Sequence, residues 1–238
     1  MESRMLAERL HRRQKLGAIY ENLTRLQPRI SAADLDKLGI RRELMTLSEH
    51  GGPYFFAVYQ APVCKPDPDI VDGYLRFDGE LLDNARILAW FLSEYFNHCE
   101  LPERDSHPRG VAYSDYGNFN FGDLIDLTHD AQWEVRTTWH MPDSGAPHMV
   151  VVMFSEMAAS EELFHGEIKT AIRVMRADPV VLCNREHHLR VIEAYHDGQE
   201  LVLRTTPLLD MARRDEDLLR ILTKWCLGGP SQQSTKLA

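Results

Sequence analysis

Residues able to do chemistry gather at three places in the chain. The first is His165-Gly-Glu167-Ile-Lys169. Its acid-x-Lys triplet is of the kind that metal-dependent nucleases carry on a strand, yet the apolar spacing around it is helical. On a helix Glu167 and Lys169 point about 160–200° apart and cannot serve one metal ion. Glu167 alone is the stronger candidate. It falls beside Ala171 on the flank of an apolar stripe made of Phe164, Ile168, Ala171, Ile172 and Met175. A carboxylate so placed is either paired with a cation or neutralised with a raised pKa. His165 lies at the other edge of the stripe, and Glu167 and His165 are the catalytic candidates.

The second place is Tyr113-Ser-Asp115-Tyr116-Gly-Asn118-Phe-Asn120-Phe121. Aromatic faces beside amide and carboxylate groups suit a polycyclic or glycosidic ligand, which makes Tyr113, Asp115, Tyr116 and Asn118 the ligand-binding candidates. The competing reading is a turn-rich loop whose aromatic rings cover the core. The third place is Glu186-His187-His188. Neighbouring side chains on an extended chain face opposite ways, so the two histidines are not expected to form a metal pair. His129, Asp130, His140 and Asp143 stand at predicted strand ends and leave open a metal site assembled from distant segments. No local spacing assigns one, and no cofactor is called for. The chain carries no GxGxxG, P-loop, HExxH, GxSxG or EF-hand pattern.

Composition narrows the classes further. The 238 residues are 44% hydrophobic and 26% charged, which is ordinary for a globular protein with a sizeable core. The net charge of -9 argues against general nucleic-acid binding, because neutralising phosphates needs surplus Lys and Arg. No apolar run approaches a membrane span of about 18 residues. Cys64, Cys99, Cys183 and Cys226 stand at least 35 positions apart, which excludes CxxC motifs and zinc knuckles. The N-terminal segment lacks an apolar signal region. Reduced thiols in the cytosol or nucleus are the simplest reading, and a cytoplasmic location is the expectation.

These candidates need elements to position them. Residues 1–30 carry seven basic against three acidic residues, a net of +4 that leaves -13 on the rest of the chain. They predict a helix over 3–26, stopped by Pro28, followed by a short helix over 31–38 capped by Ser31. Tyr54–Tyr59 predicts a strand. The strongest helix spans 80–98, with Leu81, Leu82, Ala85, Leu88, Ala89, Leu92, Tyr95 and Phe96 on one face and Ile87, Trp90 and Phe91 off it. Strands are predicted at 124–127, 133–139, 148–154 and 180–183, and a helix capped by Ser160 over 160–176. Asp197-Gly198 between alternating runs predicts a hairpin of 190–196 with 199–205, with a type I′ turn. Ile192, Ala194, Leu201 and Leu203 would face the core. A last helix spans 215–227.

Taken together, Leu163-Phe-His-Gly-Glu-Ile168, Val174-Met-Arg176, Arg190-Val-Ile-Glu-Ala-Tyr-His-Asp-Gly198 and Leu201-Val-Leu-Arg204 resemble a widespread set of filamentous-fungal proteins, over about residues 149–228. That set carries no established activity, so the resemblance transfers no catalytic residue. It implies a fungal, intracellular origin and one recurring module that holds both His165-Gly-Glu167 and the hairpin.

The expected architecture is α+β, a mostly antiparallel sheet packed on helices. Residues 1–50 would form a helical extension, 51–228 the α+β domain and 229–238 a frayed tail. Two functions compete. One is a non-catalytic interaction or regulatory module, supported by the missing motifs, the basic N-terminal arm and the two-sided helix 80–98. The other is a cofactor-independent enzyme or binding protein for a small apolar metabolite, with a pocket near 113–121. The off-stripe residues Ile87, Trp90 and Phe91 predict a homodimer, with no nucleic-acid or membrane partner.

Overall fold

The computed structural model describes residues 2–48, 51–60, 62, 63, 65–100, 112–114, 124–129, 131–140, 148–175 and 178–231. In chain order the elements are α1 (Glu2–Leu23), β1 (Arg29–Ile30), α2 (Ala32–Leu38), β2 (Ile40–Leu44), β3 (Phe56–Ala57), α3 (Pro68–Asp72), α4 (Leu81–Glu100), β4 (Ala112–Ser114), β5 (Ile125–Asp126) and β6 (Trp133–His140). There follow β7 (His148–Ser155), β8 (Leu163–Phe164), α5 (His165–Val174), β9 (Asp178–Arg185), β10 (His188–His196), β11 (Leu201–Thr205), β12 (Leu209–Asp210), α6 (Glu216–Cys226) and β13 (Gly229–Pro230).

The main sheet runs β2-β11-β10-β9-β7-β6-β4, with β12 beside β10 and β5 beside β6. Most pairs are antiparallel, and the fold is α+β. The two parallel pairs are β7 with β9, joined through α5, and β2 with β11. Strand β7 is buried on both faces, which explains its unbroken apolar run. Val150, Val152 and Phe154 enter one core with α4, α6 and the chain between Phe55 and Phe77. Met149, Val151 and Met153 enter the other with α5, Leu35 of α2 and the C-terminal half of α1. A bulge in β6 between Val135 and Thr137 changes which side its residues face. Trp133 and Val135 join the α5 side, and Trp139 joins the α4 side.

Several elements stand where the sequence places them. Leu88, Ala89, Leu92 and Phe96 of α4 are fully buried. Ile192, Ala194, Leu201 and Leu203 lie together in the α5-side core, but the turn is not the two-residue type I′ turn expected: His196 pairs with Leu201, so residues 197–200 form the loop, and of Asp197-Gly198 only Gly198 takes a positive φ, at 103. Ser31 caps α2 through the Asp34 N–H, and Gly39 ends it at φ 68.

Others differ for physical reasons. Ile40–Leu44 falls inside the stretch read as a helical extension, yet it is an edge strand of the main sheet. Arg41, Arg42 and Glu43 hide it from pattern reading, and such charges also protect an exposed sheet edge. Helix α5 starts at His165, not at Ser160, because Leu163–Phe164 pairs with β1. The strand expected at 54–59 shortens to Phe56–Ala57, which pairs with Gly229–Pro230. The tail is accordingly fixed through Ser231, whose N–H donates to the Phe55 carbonyl at 2.9 Å.

Candidate functional site

Glu167 occupies the third position of α5 and is completely buried. Its carboxylate accepts the Phe164 N–H at 2.9 Å, closing half of a capping box. Arg185 Nε donates to its Oε1 at 3.0 Å, and Arg185 Nη2 meets its Oε2. Arg190 Nη1 lies 3.4 Å from the same Oε2. Burial alone would raise the Glu167 pKa, but the charges of Arg185 and Arg190 outweigh it and hold the carboxyl below its ordinary value. Both arginines are fully buried too. They tie down the loop before α5. Arg190 Nη2 donates to the Ser160 carbonyl at 2.8 Å and Nη1 to the Glu162 carbonyl at 3.1 Å. Arg185 Nη1 donates to the same two carbonyls. Those carbonyls therefore serve the arginines, which is why the helix cannot begin at Ser160.

Strand register explains why two arginines meet there. Cys183 pairs with Arg190, and Arg185 is two residues from Cys183, on the same face of β9. The α5-facing side of this hairpin thus ends in two guanidinium groups, and Glu167 is the anion that the helix supplies. Arg42 adds a third cation. Its Nε donates to Thr205 Oγ1 at 3.0 Å and its Nη1 to the Glu161 carbonyl at 2.7 Å. Burial, and then the neighbouring Arg190, press Arg42 below its ordinary pKa. Sequence reasoning missed these arginines. The available signal was the turn Glu186-His187 between two alternating runs, flanked by Arg185 and Arg190.

His165 does not join Glu167. Its ring lies against Phe164, centroids 4.5 Å apart, and neither ring nitrogen has a hydrogen-bond partner. Burial first, then the Lys169 charge, press its pKa down to about 4. It is neutral at ordinary pH and makes no dyad with the carboxylate. Gly166 lets α5 approach the sheet, since a Cβ there would come within 2.4 Å of the Phe164 ring and 2.8 Å of Trp133.

A second buried carboxylate lies on the opposite face of the sheet. Glu193 pairs across the hairpin with Arg204, and its Oε2 accepts from Arg204 Nη1 at 2.5 Å. Its Oε1 accepts the Phe55 N–H at 2.9 Å. Burial raises its pKa against the pull of those donors. The Arg204 guanidinium also stacks 3.2 Å over the Tyr54 ring centroid and donates to the Gly52 carbonyl at 3.1 Å. This contact holds the chain at 52–56 over the sheet.

Both carboxylates have their oxygens committed to donors of the fold, so neither is placed to carry a proton to or from a substrate. Cys99, Cys183 and Cys226 are buried, and burial pushes the Cys183 thiol well up, away from a reactive thiolate. Of the ligand candidates, Tyr113 lies in β4, paired in register with Trp139. Asp115, Tyr116 and Asn118 lie outside the described residues. The apolar core around Leu182, Leu222 and Trp225 leaves a cavity of about 10 Å³, room for one water at most.

The outer face of α4 is more open. Phe91 is buried against Tyr74, ring centroids 4.9 Å apart, and Ile87 is half-buried. Trp90 stays 49% exposed. It borders an open groove of about 300 Å³ lined by Arg86, Ile87, Trp90, Glu134, Arg136 and Phe154. The two-sided pattern of α4 is thus largely satisfied within the chain by the segment around Tyr74, while Trp90 is left over.

The adjacent histidines also depart from expectation. Arg185 pairs with His188, so Glu186 and His187 form the turn itself. The two imidazoles do not splay apart; their centroids are 4.2 Å apart. No helix among the described residues is long and apolar enough to cross a membrane. Comparison of the chain with protein-family models, curated proteins and solved structures finds no match.

Proposed function

We propose that this chain is a non-catalytic interaction or regulatory module of a fungal cytoplasm that acts as a homodimer. The observation that carries the reading is Trp90, a large aromatic side chain 49% exposed beside a groove of about 300 Å³ with Phe154 in its lining. Tryptophan is enriched at the energetic centres of interfaces. Arg86, Glu134 and Arg136 surround it with charges of both signs, the rim a self-complementary contact can use. The engagement of Glu167 by Arg185 and Arg190, and of Glu193 by Arg204, supports a non-catalytic role, because each carboxylate already has a structural task.

Sedimentation equilibrium over a range of concentrations tests this. The full chain should sediment at twice its chain mass, and Trp90→Glu at the monomer mass with an unchanged thermal midpoint. A monomeric wild type at every concentration would overturn the dimer. A raised thermal midpoint with one class of apolar metabolite, undiminished in Trp90→Glu, would favour a binding protein instead.

A further inference from the structure

We propose that the turn Glu186-His187-His188 binds a divalent transition cation of the zinc class. These three side chains hold potential ligand atoms within 4.8 Å of one another, and they are the one such group found among the described residues. The backbone produces the cluster. Glu186 sits at φ 52, a left-handed conformation that few residues other than glycine adopt. It reverses the chain within two residues, and that reversal brings together imidazoles an extended strand would hold on opposite faces.

The cluster is supported from several sides. His187 lies 5.9 Å from the Phe77 ring, centroid to centroid, and its carbonyl accepts the Met211 N–H at 2.8 Å. His188 is paired in register with Asp210 of β12, which brings a further carboxylate-bearing residue to the same end of the sheet. Glu186 Oε1 stands 3.5 Å from His187 Nδ1. His188 Nδ1 is shielded from solvent and has no hydrogen-bond partner. A buried imidazole nitrogen without a partner is a cost that a bound cation can remove.

Two imidazoles and one carboxylate form a donor set for zinc, cobalt, nickel or copper in preference to calcium or magnesium. Zinc bonds of about 2.0–2.2 Å to such ligands place the donor atoms roughly 3.3–3.6 Å apart in tetrahedral geometry. Side-chain rotations of about an ångström close the present spacing, and all three residues are partly exposed, so the cation can enter from solvent. Three protein ligands leave the fourth position to water.

Titration of the chelator-treated full chain with zinc alone, followed by calorimetry, tests the site. One zinc per chain is expected, with a dissociation constant of order micromolar. His188→Ala and His187→Gln should each weaken binding at least tenfold, while His129→Ala, beside Asp126 in another part of the chain, should leave it unchanged. Cobalt in place of zinc should give visible absorption of a four-coordinate ion, lost in His188→Ala. Melting each variant in chelator separates loss of the site from loss of the fold. Wild-type protein that binds no zinc at a hundredfold higher concentration, or variants that both bind as wild type does, would overturn the proposal.

Discussion

At Glu167 one buried anion serves two buried arginines, and that ratio sets the consequence of removing it. Glu167→Gln keeps the shape of the side chain, removes the carboxylate that meets Arg185 and leaves Arg190 with only the exposed Glu161 carboxylate at 3.6 Å. Breaking a buried pair from one side costs about 3–5 kcal/mol. Urea denaturation should show a loss of that size, and a loss below about 1 kcal/mol would mean that water reaches the arginines. His165 governs a pH effect of definite sign. Its folded pKa of about 4 lies below the ordinary 6.5, so between those values the unfolded chain takes up a proton that the folded chain refuses. Stability contributed by the neutral ring is intact above pH 6.5, falls as pH drops through the window and is lost below about 4. The effect is on the order of 3 kcal/mol. His188 and His196 are pressed down in the same direction, so the test is a comparison. His165→Leu should flatten the curve of unfolding free energy between pH 6.5 and 4.5, whereas parallel curves would place the slope elsewhere.

At the scale of elements, close approach decides which substitutions are tolerated. Gly228 follows α6 and precedes β13, and a Cβ there would lie 2.1 Å from the Ala57 carbonyl oxygen. The obstacle is backbone, so β3 and β13 must separate. Gly228→Ala should lower stability by about 1–3 kcal/mol. Gly17 has open space around it inside α1, and Gly17→Ala should raise stability by roughly 0.5–1 kcal/mol. Thermal melts of the two variants should move in opposite directions, and a shared direction would refute the packing at one of these positions. The same close packing explains what pattern reading could and could not find. Helix α4 and the β10–β11 hairpin were legible because periodicity and Asp197-Gly198 are local signals. Strand β2 was not, because its partner β11 lies about 160 residues away and its own residues are mostly charged. The start of α5 was not, because it depends on carbonyls captured by Arg185 and Arg190.

For the whole molecule, the sheet is covered on both faces, by α4 and α6 on one side and by α5 and α1 on the other. This leaves little apolar surface for a partner except at particular places. Trp90 is one. The N-terminal half of α1 is another, with Leu6 and Leu10 exposed while Ile19 and Leu23 reach the core. The two differ in their response to salt. A contact centred on Trp90 buries apolar surface, and the proposed dimer should persist at 1 M salt, where the screening length is about 3 Å. A contact made by Arg9, Arg12 and Arg13 of the α1 arm should dissociate under the same conditions. Sedimentation at low and high salt distinguishes them, and loss of the dimer at high salt would move the interface from α4 to α1.

The sequence by itself determined the α+β class, the central helix, the hairpin and the suspicion attached to Glu167, because each rests on residues close in the chain or on a periodicity that one element expresses alone. It also posed the choice at Glu167 between a paired and a protonated carboxylate. Only the tertiary structure decided it, by carrying Arg185 and Arg190 onto the face of the sheet that α5 covers. The same holds for Glu193, whose Arg204 partner is set by hairpin register and whose burial is set by the distant chain at Phe55. Charge pairing inside a protein depends on which distant groups share a low-dielectric space, and no spacing along the chain encodes that.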